Sequence, residues 1–557
     1  MKKTVKRLIT ACLTLSILLM LCACGAGSTS DTTTAAGASG DQTTSSAEPT
    51  TITIGLVGEP DTLCPYMFTA DKDSLVQSQM FPAMFVNDES GNPVPHMIES
   101  YEFDEDSLTY TWHLTQGAKW SDGEDLTIDD VLFTITAVAG ADYTGGNSTG
   151  VTGILGYEDY HNGSAETLAG VQKVDDYTCT IQLAEWDPCF LSYYCDPGSI
   201  LPEHILSSIP VTEWTKSEFA ENPISYGPYK LAAWEHGEYI ELVKNETYFG
   251  TPASIDTVIF RFAEEATTFV NAYMNGEIDM FKAPFEDLET LKALDGTNAY
   301  TCTPANYPLY PNLIKGPLSE LAVRQAVMYS YDADAIAKTV FGEYGEGSKS
   351  VFCNSNWAVD PDAVRYTEDH EKAKQLLEDA GYTMGSDGYY TKDGQTLEFT
   401  CLCTGGEMED VLTLWQASLK KSGIKANIKV VDWSVMVETI SDQETADYGT
   451  YTFGGGDGDP SGLMVLYCSV YDAAVGGFNF NKCGDETLDA LWFAGRQETD
   501  HEARVAIYRQ IDDYMTKNAL LFPMCEKSTV WIASARVGNV VLNNLNNLLN
   551  LATFTIQ

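Results

Sequence analysis

Strand-like and helix-like segments alternate along this chain from residue 51 onward. Apolar residues occupy every second position over 52–56, 108–114 and 177–183, which predicts three strands. Helical patterns are interleaved with them, and chains of this kind fold into domains in which helices pack on sheets. The alternation therefore predicts the α/β fold class. At 557 residues the chain has room for roughly two to four domains of ordinary size.

Two helices can be placed from the signals at their ends. Thr127 and Asp130 form a capping-box pair ahead of apolar residues at helical spacing over 131–138. A second apolar stripe runs over 371–380, and Gly381 follows it. Glycine adopts the left-handed conformation of a helix stop without steric cost. We therefore expect one helix to begin after Thr127 and another to end just before Gly381.

The first residues have the form of an export signal. Basic residues at positions 2, 3, 6 and 7 precede an apolar run over 8–21 that is too short to span a membrane. The run ends in Leu-Cys-Ala-Cys-Gly at 21–25, which resembles the lipobox of bacterial lipoproteins. The resemblance implies that 1–23 is a signal peptide and that Cys24 carries a lipid. Secretion with loss of Cys24 is the alternative.

Residues 24–50 consist mainly of Ser, Thr, Ala and Gly and carry few apolar side chains. Such a segment cannot offset the entropy lost on ordering, so it is predicted to be a flexible linker behind the lipid anchor. We expect an extracytoplasmic protein on the outer face of the cell membrane of a Gram-positive cell. In a cell with an outer membrane the same protein is expected in the periplasm.

The charge of the chain excludes one class of partner. It has 80 Asp and Glu against 32 Lys and Arg, a formal net charge of −48. Such an excess repels phosphate backbones, so nucleic acid is not an expected partner. The acidity is consistent both with a well-solvated exported surface and with attraction of amine-bearing ligands.

Eleven cysteines follow the linker, an odd number that cannot pair completely. Their spacing lacks the paired C-x-x-C pattern of a zinc site. Most are therefore predicted to be buried free thiols. They are Cys64, Cys179, Cys189, Cys195, Cys302, Cys353, Cys401, Cys403, Cys468, Cys483 and Cys525.

Catalytic patterns are weak. Residues 146–150 match G-x-S-x-G but lie in a glycine-rich loop, without the entering strand and leaving helix of a nucleophile elbow. Residues 342–350 have one residue too many for a P-loop and are predicted to form a turn. The seven histidines form no metal-binding helical pair, so no metal site is expected. No cofactor and no catalytic residue are expected either. Chance pairs among 80 acidic residues leave an extracellular α/β hydrolase as an alternative.

One ordered set of motifs runs through most of the chain. Residues 97–138 join a strand, an Asp-Gly turn at Asp122 and the helix capped by Thr127. Further motifs occur at 58–65, 226–231, 275–279, 323–326, 372–377 and 380–382. Together, over about 51–535, they resemble the family 5 solute-binding proteins, the dipeptide and oligopeptide receptors of ABC importers.

The resemblance implies a type II periplasmic-binding-protein fold, in which two lobes are joined by a hinge and an extra domain is added. By analogy, lobe I comprises 51–87, 223–300 and 527–557, the extra domain comprises 88–222, and lobe II comprises 301–526. The hinge is expected near Ser225 and Thr301. A ligand between the lobes then stabilises a closed form by the contacts it makes to both.

The same resemblance implies a function. We expect a monomeric lipoprotein that captures short peptides and delivers them to an ABC permease, and not an enzyme. Nickel chelates, opines and oligosaccharides are alternative ligands, since this family has changed ligand on one scaffold. A receptor that signals to a membrane sensor without supporting import is a further alternative.

Ligand contacts are expected from aromatic and polar groups on loops that line the cleft. The residues nominated by resemblance are Tyr66, Met67, Tyr307, Trp433, Tyr451, Phe453, Asp457 and Asp459. For each aromatic residue, packing in the core is the alternative.

The last of these loops departs from the family it resembles. There a Trp opens the loop and an Asp captures the amine of the peptide by a charge-assisted bond. In this chain Phe453 takes the place of the Trp, Gly456 falls where the Asp is expected, and Asp457 lies one position along. The glycines leave two readings open: a shift that lets Asp457 serve, or a bare backbone that admits a bulkier ligand. Asp459 is alternatively a cap for the turn or helix that follows.

Overall fold

The computed structural model describes residues 49–67, 70–87, 93–145, 147–195, 198–302, 304–363, 365–441, 448–452, 454, 459–471, 478–542, 548 and 551–557. The predicted signal peptide, Cys24 and nearly all of the linker lie outside the described residues. So do Phe453 and Asp457.

The strands in the described ranges are β1 (Thr51–Val57), β2 (Phe85–Asn87), β3 (Pro93–Pro95), β4 (Ile98–Asp104), β5 (Thr109–Leu114), β6 (Val171–Asp175), β7 (Thr178–Gln182), β8 (Tyr229–Glu235), β9 (Tyr239–Lys244), β10 (Thr257–Ala263), β11 (Met280–Lys282), β12 (Thr297–Thr301), β13 (Ala305–Pro311), β14 (Gly345–Gly347), β15 (Thr383–Met384), β16 (Tyr390–Lys392), β17 (Gln395–Thr396), β18 (Glu398–Cys403), β19 (Lys425–Val430), β20 (Thr450–Thr452), β21 (Phe522–Lys527), β22 (Val530–Ser534), β23 (Val537–Gly538) and β24 (Thr555–Ile556).

The α-helices in the same ranges are α1 (Asp71–Met80), α2 (Ile128–Ala139), α3 (Thr149–Thr152), α4 (Tyr157–His161), α5 (Glu203–Leu206), α6 (Glu218–Glu221), α7 (Ala266–Met274), α8 (Leu288–Lys292), α9 (Leu321–Met328), α10 (Ala333–Phe341), α11 (His370–Asp379), α12 (Glu407–Lys421), α13 (Trp433–Ser441), α14 (Met464–Tyr467), α15 (Glu486–Gln497) and α16 (His501–Lys517). Two short 3-10 helices, Phe190–Tyr194 and Pro460–Leu463, border the site described below.

The first sheet has seven strands in the order β12-β22-β11-β1-β10-β9-β8. Its centre is parallel, because β1 pairs with both β10 and β11 in the same direction. Both faces are covered: Ile52 and Ile54 pack in one core, and Phe281 and Ile532 pack in another. Strand β22, from late in the chain, lies between β11 and β12.

The second sheet has six strands in the order β14-β21-β13-β20-β18-β19. Strands β18, β19 and β20 are parallel to one another, and β13 runs antiparallel to both β20 and β21. This sheet also has a core on each face, with Leu309 and Phe399 on one side and Tyr310 and Leu402 on the other.

The third sheet, β4-β5-β7-β6, is antiparallel and buries one face. Tyr110, Trp112 and Leu114 of β5 alternate inward, as the sequence predicts. Helix α2 begins after Thr127, whose backbone N donates to the Asp130 carboxylate at 2.9 Å, which is one of the two bonds of the predicted capping box.

The predicted elements are confirmed with small shifts at their ends. The strands expected over 52–56, 108–114 and 177–183 are β1, β5 and β7. Leu108 stands outside β5 because its φ of 52° turns the chain into the strand. The helix expected over 371–380 is α11, and Gly381 follows it at φ 89°.

The weak catalytic patterns gain no support, although one expectation needs correction. The one-turn helix α3 begins at Thr149, within the G-x-S-x-G residues, but the element before that loop is helix α2 and not a strand, so a nucleophile elbow is still lacking. Residues 342–350 contain a 3-10 turn and the edge strand β14. In the part of the chain that is described, no helix is long and apolar enough to cross a membrane, and no cluster of His, Cys, Asp and Glu could hold a metal ion.

The described cysteines include many buried free thiols, as predicted: Cys64, Cys179, Cys189, Cys401, Cys403, Cys468, Cys483 and Cys525. Burial raises the pKa of Cys179 to about 12. It also raises that of Cys525 to about 12, although the charge of Lys527 opposes the rise. Since only the thiolate is a nucleophile, these groups are protected both by packing and by protonation.

We therefore expect the native protein to react slowly with Ellman's reagent at neutral pH. In denaturant and without reductant, the same protein should release nearly the full complement of thiols. Quantitative titration before and after unfolding measures this. A low count in denaturant would mean that disulfides form and would contradict the assignment of free thiols.

Candidate functional site

The carboxyl ends of parallel strands mark the place where α/β sheets bind ligands. In the first sheet these are the ends of β1, β10 and β11, and in the second sheet the ends of β18, β19 and β20. We call the space between these two edges the inter-sheet cleft. The segments that follow the strand ends include 58–67 after β1, the start of α12 after β18 and the start of α13 after β19.

The two sheets touch on one side of the cleft through aromatic and charged residues. Phe285 lies with its ring centroid 5.2 Å from that of Phe341 and 6.2 Å from that of Tyr344. Lys292 of α8 pairs with Glu343 at 2.8 Å. These contacts join the segment after β11 to the end of α10, so the two sheets are connected on this side of the cleft.

A second contact lies between the third sheet's loops and the second sheet's helices. The Asp187 carboxylate pairs with the guanidinium of Arg496 on α15, and the same guanidinium donates to the Tyr471 hydroxyl at 3.0 Å. The Cys189 thiol lies 2.8 Å from the Ser461 hydroxyl. Asp187 is almost fully buried, with 4% of its side chain exposed, so this contact excludes water.

Asp459 stabilises this second contact through several hydrogen bonds. It accepts two hydrogen bonds from Arg504, at 2.7 and 2.8 Å, and one from the Ser461 backbone at 3.0 Å. Burial on its own raises the pKa of Asp459, but the bonds and charge of Arg504 outweigh it and hold the pKa below its usual value. Asp459 therefore caps the 3-10 helix at Pro460, which is the structural role that the sequence left open.

The other nominated residues fall into two environments. Tyr66 is buried, and its carbonyl accepts a hydrogen bond from the Tyr143 hydroxyl at 2.7 Å. Tyr451 is buried as well and stacks on Tyr310 with ring centroids 5.0 Å apart. Trp433, in contrast, opens α13 with 47% of its surface exposed.

Met67 is half-buried at the end of the loop after β1, and Tyr307 is half-buried on β13. The Tyr307 ring fits against the bare backbone of Gly454, where an added Cβ would come within 2.2 Å of it. The structure thus brings Tyr307 next to Gly454, but leaves Tyr66 in the core. Ligand contact by these residues stays a prediction.

Burial raises the pKa of Tyr307, Lys527 opposes that rise, and the carboxylates of Asp71 and Glu407 add to it. Asp71 opens α1 on the first sheet, whereas Tyr307 and Glu407 belong to the second. Charged groups from both sheets therefore lie near Tyr307, and we call this group of residues the cleft floor.

Two lysines on the cleft floor were not found from the sequence. Lys527 ends β21 and pairs with Glu407 at 2.6 Å, with its Nζ 5.0 Å from the centre of the Tyr307 ring. Lys282 ends β11, with its Nζ 5.7 Å from the ring centre of Trp531. The available signal was a lysine at the end of a predicted apolar strand, and that signal is too common to single out a site.

A separate cavity of about 560 Å³ lies within the second sheet's helices and loops. Its lining includes Lys338 and Arg365, but these cations are paired with Asp334 and Asp512, each at 2.5 Å. Because these two cations are already paired within the protein and the carboxyl ends of the parallel strands lie elsewhere, the inter-sheet cleft is the better candidate site.

Residues 92–474 match the sequence profile described as bacterial extracellular solute-binding proteins, family 5 middle. The match spans more than half of the chain. This chain belongs to that family.

Relatives of this family 5 protein share its length and fold. The oligopeptide-binding protein AppA of Bacillus subtilis is 29% identical over 399 residues, 70% of each chain. The dipeptide-binding protein of Escherichia coli is 27% identical over 492 residues, 85% of this chain and 89% of its own.

Solved structures agree with the expected fold class. AppA of Bacillus subtilis in complex with a nonapeptide superposes with a TM-score of 0.80 at 23% identity, covering 91% of this chain and 99% of its own. NikZ of Campylobacter jejuni in complex with Ni(L-His) gives 0.79 at 22% identity, covering 91% and 99%. The periplasmic-binding-protein fold predicted from the motifs is thereby confirmed.

The contact between Asp187 and Arg496 makes a prediction for stability. Arg496→Met leaves the buried Asp187 carboxylate without its partner, which costs about 3 kcal/mol of unfolding free energy. Asp187→Asn combined with Arg496→Met should recover much of that loss, because no unpaired charge remains. Urea unfolding followed by tryptophan fluorescence measures both.

Arg509→Met is the matched control, since Arg509 is an exposed arginine on α16. We expect it to change the unfolding free energy by less than about 0.5 kcal/mol. Equal effects of the two arginine substitutions would show that the Asp187–Arg496 contact does not hold the third sheet's loops to the second sheet's helices.

Proposed function

We propose that this family 5 protein captures short peptides in the inter-sheet cleft and passes them to the permease of an ABC importer. The observation that carries the proposal is the similarity, over 85% of this chain, to a protein named as dipeptide-binding, together with that to an oligopeptide-binding protein. The cleft itself offers the aromatic and charged groups that peptide capture requires.

The mode of action follows from how the sheets are connected. A ligand that touches both sheets favours the arrangement in which their edges are close, by the difference in its affinity for the two arrangements. No bond in the ligand has to be made or broken. We therefore propose a receptor that closes on its ligand and has no catalytic residue.

Anchoring at the membrane is part of the same proposal. The lipobox-like 21–25 and the polar linker support a lipid on Cys24, which would keep the receptor near its permease. A tethered protein meets its partner at an effective concentration set by the linker length, so modest affinity for the permease suffices. Mass spectrometry of the membrane fraction tests for the lipid.

One specific observation favours a second ligand class. NikZ, with a TM-score of 0.79, is described with a nickel–histidine complex, and it covers nearly the whole fold. Since the fold alone does not fix the ligand, a metal chelate is the second candidate. Nickel–histidine should therefore be included in every ligand screen.

One prediction of this function concerns ligands retained from the expression host. We expect native mass spectrometry of the purified protein, from residue 25 onward, to release a set of short peptides. Thermal unfolding with an added peptide library should then shift Tm upward, because a ligand bound only to the native state stabilises it. If peptides leave Tm unchanged and nickel–histidine raises it, chelate capture replaces peptide capture as the proposed function.

A further prediction distinguishes the roles of two neighbouring carboxylates, Asp457 and Asp459. If Asp457 anchors the peptide amine, Asp457→Asn should weaken binding at least about tenfold, the scale of a charge-assisted contact, and leave Tm of the free protein unchanged. Asp459→Asn should instead lower Tm, because Asp459 is bound to Arg504. N-acetylated peptides should lose as much affinity for the native protein as the Asp457 variant does. Unchanged peptide affinity in that variant would remove the amine-anchor assignment.

A further inference from the structure

An unpaired ammonium lies on the cleft floor. The Nζ of Lys282 forms no ion pair and no hydrogen bond with any residue that the structure describes. Its side chain is half-buried, and burial lowers its pKa while the nearby Asp71 carboxylate opposes the change. Taking an ammonium out of water costs free energy unless an anion replaces the lost hydration. The position therefore favours a negative group, and no described residue places one in contact with it.

The neighbours of Lys282 hold it in place without neutralising it. Lys282 pairs in register with Trp531, and Trp531 with Tyr300, across β11, β22 and β12. Side chains in one such row project from the same face of a sheet. The fully buried indole of Trp531, 5.7 Å from Nζ, lies against the lysine and restricts its rotamers. The ammonium is thus positioned at a strand end that borders the cleft.

The nearby charged groups that the structure describes form no ion pair with the Lys282 ammonium. Lys527 is itself cationic, and its partner Glu407 is already bound to it at 2.6 Å. Asp71 is exposed on the first turn of α1, where water screens its charge, and it makes no ion pair with Lys282. Of these four charges, that of Lys282 is the one that is half-buried and has no ion-pair partner in the part of the chain that is described.

We propose that Lys282 binds a carboxylate of the captured ligand. This inference rests on the proposed function and adds a requirement to it: the ligand carries a carboxylate that reaches the cleft floor. On a peptide, that group is either the carboxyl terminus or the side chain of an Asp or Glu residue. A charge-assisted bond shielded from water is among the stronger single polar contacts a site can make.

The test compares variants with paired ligands. Lys282→Met keeps the length of the side chain and removes its charge, and Lys282→Arg keeps the charge. Lys230→Met is the matched control, because Lys230 is half-buried on β8 of the same sheet and also lacks an ion pair among the described residues. The probes are a tetrapeptide library with free carboxyl termini, the same library amidated, and an amidated library with one Glu at each position.

We expect the native protein to bind the free-acid library about tenfold to a hundredfold more tightly than the amidated one, by isothermal titration calorimetry. Lys282→Met should remove this preference and bind both libraries equally, while Lys282→Arg and Lys230→Met should retain it. If the Glu-containing amides bind as the free acids do, the carboxylate comes from a side chain; if they do not, it comes from the terminus.

The outcomes separate the inference from the proposed function. An acid-to-amide preference that survives in Lys282→Met, or a native protein that binds the free-acid, amidated and Glu-containing libraries equally, overturns the carboxylate assignment and leaves peptide capture standing. If peptides fail, a glucuronic acid disaccharide and its neutral glucose counterpart are compared in the same way. A preference for the acid that is lost in Lys282→Met supports Lys282 without peptides. Binding of the neutral sugar alone, or of no probe, counts against both.

Discussion

The structure depends on one antiparallel ribbon that carries the chain from the first sheet to the second and back. On the outward crossing β12 continues into β13, and on the return β21 continues into β22. The two crossings stay paired: Thr301 is opposite Val530, Ala305 is opposite Lys527, and the Cys302 backbone N donates to the Thr529 carbonyl at 2.9 Å between them. Because a slip of one residue would turn every side chain to the other face, the pairing fixes the register of both sheets together. The ribbon thereby determines that Lys527 and Lys282 come to one place.

Much of the fold could be predicted because its signals are local. The alternation in β5, the capping-box pair of α2 and the stop at Gly381 each depend on a few neighbouring residues, and each appears where it was expected. The ends of the predicted strands and helices were less certain because they depend on tertiary contacts. Strand β5, for example, starts one residue late since Leu108 takes a left-handed turn.

The candidate site was less predictable because it is assembled from distant parts of the chain. Lys282 is unusual only because β22, some 250 residues away, places Trp531 beside it and no acid. No spacing along the sequence encodes that pairing. The surroundings of Tyr66 were equally hard to predict: it follows a family motif, its ring is buried in the core, and its carbonyl accepts a hydrogen bond from the Tyr143 hydroxyl. A motif predicts where a loop lies, and the packing decides how its side chains are buried.

The position of β22 has a consequence for how the protein folds during synthesis. Strand β22 lies inside the first sheet, between β11 and β12, so β12 has no neighbour until Val530–Ser534 has been made. The second sheet has the same dependence on β21, which stands between β13 and β14. Neither sheet can therefore be completed before β21 and β22, near the end of the chain, have been synthesised. The strands made last are thus needed to complete both sheets, so the fold can be completed only after nearly the whole chain has been synthesised.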